Sequence, residues 1–494
     1  MTIPTDQPRS TKLAWICAVL TSVLGAAILY NAFPGINWTI WVIAASGSLI
    51  LARFEAVRKV ETPLLILLSW AVLLSIAFAF TANDAHQVQT VLADAMLLGM
   101  AVITLGAERW SELSAKLLVA VPFLAPFRVI GASALEAAGA PRTVSSSRSR
   151  AIIKGSLLAA PLVIVLIALL GSADPVIRWG TDRIAAWLPD WSFPGRLAFF
   201  IFLLTLTLGA DTLGLRQLVA KLPQFPALTT RPAIGVTEQR MVLWSALTVL
   251  WLFVALQVSY LIHPPPAAIG TGITFAEFAR RGFGQLSVAT TLVSAIILIL
   301  EYARPTQATE RDLTMLRRLE IALIVALELV LLSAFRRVLL YEEAYGFTEA
   351  RVVAQAYMIA MGVALAALAW EIRRGKISVS FGRRVAEIAL ASFTVLVFWN
   401  YEAWIVNKNF DRAAKTGKFD ASYVGTLSRD ATPTIARRRS EIPQVQRDSL
   451  DRVFACKPLP APRRWYEWNR SVLAADAALR AWERPRIECP KRYD

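Results

Sequence analysis

Three carboxylates stand inside stretches of this chain that are otherwise apolar: Glu328, Glu320 and Asp94. An ionisable group in hydrocarbon is costly and must face protein or water, so it marks either a proton or cation relay or a structural hydrogen bond between helices. Glu328 is near the middle of its stretch, and no basic residue interrupts any apolar stretch at that depth. It is therefore expected to be protonated or hydrogen-bonded to a neighbour such as Ser333 rather than ion-paired. Glu320, earlier on the same helical face, would continue a relay, and Asp94 is similar, about two turns in from its end. Asp211, Glu301, Glu371 and Glu387 are closer to the ends of their stretches, where they can reach water or pair with Arg216, Arg304, Arg374 or Arg384. Two histidines, His86 and His263, and three cysteines, Cys17, Cys456 and Cys489, support neither a metal centre nor a disulfide framework. No catalytic or nucleotide signature stands out, and no cofactor is expected.

A second group of polar residues falls in connections between the apolar stretches. Thr274-Phe275-Ala276-Glu277 fits a capping box that opens a helix, and Glu277, Arg280 and Arg281 occupy its first turns. In the string from Tyr341 to Arg351, Gly346 suits a helix stop and Thr348 the N-cap of the next helix. Ser172-Ala173-Asp174-Pro175 reads as a further helix-end turn. Asp174, Glu277, Arg280, Arg281, Tyr341, Glu343, Tyr345, Glu349 and Arg351 would then share one face, able to hold an anionic or zwitterionic ligand or to dock the C-terminal tail. Capping and interface anchoring are the plainer explanation.

The elements that position these groups follow from composition. Of 494 residues 56% are apolar and 18% charged, with a mean hydropathy of +0.51, which reads as an all-α, polytopic membrane protein rather than a soluble domain. A crossing needs roughly 20 mostly apolar residues. Eleven stretches qualify: 13–33, 36–52, 63–80, 88–106, 152–172, 197–215, 241–262, 285–302, 319–338, 352–372 and 385–406. Alternate connections carry 25 Lys+Arg on one side and 8 on the other. That asymmetry predicts a cytoplasmic N-terminus (1–12) and a periplasmic helical tail (407–494). Four spans (13–106) and seven spans (152–406) would flank a basic cytoplasmic connector (107–151). In that connector Ser114–Ala138 is read as an interfacial helix broken by Pro122 and Pro126; a twelfth, membrane-crossing element is the competing reading. The net charge of +16 is explained by the anionic inner leaflet without nucleic acid. A periplasmic tail would also let Cys456 and Cys489 pair.

The strings Gly272-Ile273-Thr274-Phe275-Ala276-Glu277-Phe278-Ala279-Arg280-Arg281-Gly282-Phe283, Leu340-Tyr341 to Ala344-Tyr345-Gly346 with Thr348, Ser172 to Pro175, Tyr423 to Ala431, and Trp468-Asn469-Arg470 resemble those of a bacterial membrane family, domain of unknown function 4173. The resemblance spans most of residues 90–480, with Phe275 and Phe278 where tyrosine is commoner. It implies an integral membrane protein and brings no activity. The expected function is transport or sensing of a small solute through an outward-facing polar cavity in the bacterial inner membrane. The alternatives are a scaffold or signalling accessory that binds a periplasmic or membrane protein through its tail, and a lipid-linked transferase. The last fits poorly, because such enzymes carry acidic residues in a sizeable first outer loop, which here is only the Phe33–Ile36 turn.

Overall fold

The computed structural model describes residues 7–105, 115–139, 192–215, 234–262, 275–305, 308–375, 381–457 and 463–482, and every regular element among them is helical. The chain divides into two compact units, residues 1–223 with 461–473, and residues 224–460 with 474–494.

The first unit contains α1 (Gln7–Ile28), α2 (Ile36–Val57), α3 (Thr62–Ser75, continued by a 3-10 turn Ile76–Ala79), α4 (Asp84–Ile103), α5 (Ala115–Gly139) and α6 (Ser192–Leu215). Their ends follow local chemistry. Pro63 sits in the first turn of α3, where its missing N–H costs nothing, and the Asn83 side chain caps α4 by accepting the His86 N–H at 3.1 Å. Small hydroxyls join the helices, with Ser22 and Thr207 3.0 Å apart between α1 and α6. At the end of α2 the guanidinium of Arg53 bonds both oxygens of Glu61, through Nε at 2.9 and 3.1 Å, with the residues 3% and 7% exposed.

A strap from the tail, residues 463–473, completes this unit. The Trp468 carbonyl accepts the N–H of Ile36, the first residue of α2, at 2.9 Å. Gly35 is needed there, because a Cβ would lie 2.6 Å from the Glu467 carbonyl carbon. Asn469, fully buried, donates to the carbonyls of Phe78 and Thr81, each at 2.8 Å, and its Oδ1 accepts the Val472 N–H at 3.0 Å. Asn469→Ala is expected to cost about 2–4 kcal/mol by deleting a helix cap and leaving two inward-facing carbonyls bare. Thermal unfolding of the detergent-solubilised protein measures it; a loss below ~0.5 kcal/mol would mean the strap is held by packing alone.

The second unit contains α7 (Val236–Ile262), α8 (Phe275–Tyr302), α9 (Glu310–Tyr345), α10 (Glu349–Arg373), α11 (Phe381–Phe398), α12 (Tyr401–Thr416), α13 (Ala421–Thr426), α14 (Thr432–Arg438), α15 (Gln444–Ala455) and most of α16 (Arg470–Ala481). Leu243, Ile297, Leu323, Leu327 and Ile372 form one apolar core shared by α7 to α10. Thr309 and Asp312 close a capping box at the start of α9, and Arg240 of α7 reaches Asp312 at 2.5 Å. A second core, including Ile405, Phe410, Val424, Ile435, Leu450 and Phe454, joins α12 to the tail helices. Indole Nε1 of Trp482 donates to Asp451 at 3.0 Å, and Arg439 grips the same carboxylate at 2.6 and 2.9 Å.

Among the described residues, five helical segments are long and apolar enough to cross a membrane: Ile36–Val57, Thr62–Ala79, Asp84–Ile103, Gly195–Leu215 and Glu349–Arg373. A sixth arises if α11 and α12, bent by 62° at their junction, are taken as one broken span. Three expectations change. The stretch 385–406 is not one helix. The chain breaks after Phe398, and α12 carries Glu402, Lys408, Asp411, Arg412 and Lys415 on 16 residues, too short and too charged to cross on its own. The apolar face of α12 packs on the tail instead, which makes the tail a folded module. The prolines at 122 and 126 do not break α5, which runs unbroken over 25 residues; packing against α4 and α6 compensates the lost backbone bonds. Between Arg464 and Trp482 the chain forms a 3-10 turn, Trp465–Glu467, before α16 begins. The predicted stretch 152–172 and Asp174 lie outside the described residues.

Candidate functional site

The tightest polar constellation in the second unit is where the α9–α10 turn meets the tail module. Gly346 ends α9 with φ +91°, a conformation that favours glycine, and a Cβ there would also lie 2.7 Å from Asn409 Oδ1. Asn409 clamps the next residue from both sides, accepting the Phe347 N–H and donating to the Phe347 carbonyl, each at 2.8 Å. Arg412, one turn further along α12, donates to the Glu343 and Ala344 carbonyls at 3.0 and 2.5 Å, where the helix carries its partial negative charge. Arg351 lies 4.0 Å over the ring of Tyr341, which contacts Tyr345 at 4.9 Å, and donates to the Gly346 carbonyl.

Behind this turn is a carboxyl pair. Glu349, the first residue of α10, gives its N–H to the Tyr423 hydroxyl at 2.8 Å and accepts the Tyr401 hydroxyl at 3.2 Å. Its carboxylate also meets the carboxyl of Glu402, which is 3% exposed and accepts both the N–H, at 3.1 Å, and the hydroxyl of Ser428. Burial, with the Glu349 and Asp430 charges added, pushes Glu402 up to about 8. Protonated, it donates to Glu349. Burial and the same acidic neighbours push Tyr423 up to about 12 and Tyr401 higher still. Lys457 bonds the Leu427 carbonyl at 3.2 Å, and burial lowers it despite Glu402 nearby. Glu342, 1% exposed, accepts Gln355 Nε2 at 2.7 Å and is raised by burial. This centre can hold or release a proton where a long helix meets the tail.

Of the face foreseen from sequence, Tyr341, Tyr345 and Arg351 come together, while Glu349 meets Tyr401, Tyr423 and Glu402. Glu343 contributes only its carbonyl, its side chain being exposed. Thr348 stands at the N-cap of α10 with no side-chain cap; the Tyr423 hydroxyl takes the Glu349 amide instead. Helix α8 is described from Phe275 onward, so Thr274 and with it the predicted capping box, like the side chains of Glu277, Arg280 and Arg281, lie outside the described residues. Glu402, Tyr401, Asn409, Arg412 and Ser428 were not foreseen. The Asn400–Glu402 helix start was their only sequence signal, hidden within a stretch read as a span.

The carboxylates expected within the apolar stretches are dispersed. Glu328 faces Gly362 of α10, whose Cβ position is 3.2 Å from Oε2. No hydrogen bond from Ser333 reaches it, since residues five apart on a helix point about 140° away from each other. Glu320 is fully buried and bonds Arg304 at 2.6 Å, which also holds Glu301, so Glu320 and Glu328 face different neighbours. Asp94, in the first unit, is fully buried and accepts Trp38 Nε1 at 2.7 Å. Asp211 does not reach the interface; it is 1% exposed and accepts Ser48 at 2.5 Å, because α2 packs over it. Glu371 pairs with Arg384, and Glu387 with Arg383 at 3.2 Å. Cys17 is free and Cys456 is disulfide-bonded; Cys489 lies outside the described residues.

Residues 68–438 match the family described as Domain of unknown function (DUF4153). The resemblance to domain of unknown function 4173 is not confirmed by that match. No curated protein and no solved structure matches the chain.

Proposed function

We propose that this chain, which belongs to the family of Domain of unknown function DUF4153, is a multi-pass sensor of the bacterial inner membrane whose periplasmic tail reports conditions outside to the membrane helix α10. One observation carries the reading: Glu349, the first residue of α10, is held through both its amide and its carboxylate by three tail-module groups, Tyr423, Tyr401 and Glu402. Glu402 is flanked by Glu349 of α10 and by Tyr401, Tyr423, Ser428, Asp430 and Lys457, with Arg351 acting on Tyr423 and Arg429 on Lys457. A change of proton or ligand state there alters what holds the end of a span. In proteoliposomes, raising the outside pH from 5.5 to 9 is expected to lower the hydrogen-exchange protection factors, taken against the intrinsic rate at each pH, in residues 421–431 and in the first turn of α10 together. A response confined to the tail overturns the reading.

Eleven spans, a cytoplasmic N-terminus and a periplasmic 407–494 tail are part of this proposal. The charge asymmetry supports it, and so does the tail's bonding, in the first unit, to the turns at 33–36 and 78–81, which alternate with the basic connections. The disulfide at Cys456, with Cys489 as proposed partner, suits an oxidising compartment. Reporter fusions after residue 307 and within the tail test the arrangement; cytoplasmic activity at both overturns it.

Transport is a second reading, favoured by Glu328, a carboxyl placed between α9 and α10 against a glycine with no described partner. Glu328→Gln is expected to reduce any proton-linked flux in proteoliposomes to the rate of empty vesicles while leaving the fold intact. Undiminished flux removes Glu328 from the path.

A further inference from the structure

The strap in the first unit exposes a patch that the docking described above leaves unused. Trp465 is 75% exposed and Trp468 40%, beside Phe80 at 42% and Phe33 at 47%. Phe80 meets Trp468 edge-on at 6.4 Å, and Trp465 meets Tyr466 at 5.6 Å. Two guanidinium groups lie among these rings. Arg463 is 4.7 Å over Phe33, and Arg464 donates to the Tyr466 hydroxyl at 2.6 Å. Large rings on an extramembrane segment are normally turned inward; a contiguous exposed set marks a surface that something covers.

Depth identifies what covers it. The Trp468 carbonyl is bonded to the first residue of α2, and Asn469 to Phe78 and Thr81, between the ends of α3 and α4. Those three helices are long and apolar enough to cross a membrane, so the strap is pinned level with their ends. Tryptophan, tyrosine and arginine at that level are the side chains that favour the headgroup boundary, with rings toward acyl carbon and guanidinium groups toward phosphate. A patch facing open water would carry no reason for this mixture, and the exposed Arg464 complements an anionic phosphodiester.

We propose that residues 463–468 with Phe33 and Phe80 form a lipid-binding surface that seats the tail strap in the headgroup layer of the bilayer its own unit crosses. The ligand class is a phospholipid headgroup with the first carbons of its chains. Anchoring here would hold the strap at the membrane independently of any ligand the tail senses.

The test uses the full-length protein carrying Cys17→Ser, with a nitroxide attached at Trp465→Cys or, as a water-facing control, at Val445→Cys on α15, which is 77% exposed. Both are reconstituted in phosphatidylethanolamine–phosphatidylglycerol vesicles. The ratio of relaxation by oxygen to relaxation by a nickel chelate is expected to be several-fold higher at position 465 than at 445. Equal ratios overturn the proposal, and so does dipolar broadening at 465, which would mean a second copy covers the patch. A check that leaves the cysteines untouched compares the wild type with Trp465→Phe in vesicles of dibrominated lipid, where the wild type should lose more of its fluorescence. Equal quenching overturns the proposal.

Discussion

Arg53→Ala is expected to be among the most damaging single substitutions in the first unit, costing about 3–5 kcal/mol by leaving the Glu61 carboxylate buried without its partner. The pair is 3% and 7% exposed, and the guanidinium also reaches the Gly214 carbonyl at 3.4 Å, tying α2 to α6. The magnitude reflects an orphaned charge rather than the net worth of the bridge, which separates two outcomes. Arg53→Met combined with Glu61→Met removes both charges and is expected to recover most of the loss, whereas either change alone is not. Thermal unfolding in detergent reads all three variants. A double variant no better than the singles would mean that the geometry, not charge balance, makes Arg53 necessary.

The second large effect is on the pH dependence of the tail module. With Glu402 pushed up to about 8 from its ordinary 4.5, the folded module keeps a proton that the unfolded chain releases between those values. The stabilisation is therefore complete below about pH 4.5 and is lost as pH rises through 8. Glu402→Gln keeps a neutral group of the same shape that can donate to Glu349, so its unfolding temperature is expected to decline less than the wild type's across that window. Glu342, also raised by burial, contributes a decline of the same sign in both proteins, and Lys457, lowered by burial and partly restored by the Glu402 charge, one of opposite sign at higher pH. Below the range in which Lys457 titrates, the difference curve reports Glu402. Parallel curves would show that this carboxyl does not change its charge on folding.

Helices were legible from apolar run length, because a long run fixes a helix wherever its ends fall. The stop at Gly346 was legible too, since it depends on a residue at the helix end itself. What sequence could not show depends on distant partners. Asp211 resembled a solvated end until Ser48, 163 positions away, covered it. Glu402 carried no signal within the 385–406 stretch, because its surroundings come from Glu349 and Ser428, on either side of it in the chain. Glu320 and Glu328 seemed co-facial by periodicity, but which neighbour each meets is decided by α8 and α10. In the tail, short amphipathic stretches gave away helices but not that α12 would turn back to join them.

The strap has a consequence for biogenesis. Asn469 closes on Phe78 and Thr81 across separations of 391 and 388 positions, among the longest loops the chain can close, and so among the slowest contacts to form. While the chain is still being made, the ends of α3 and α4 wait with bare carbonyls on their rim, to be completed only when residue 469 has been synthesised. A premature stop upstream of residue 469 would thus injure helices that lie far from it in the chain.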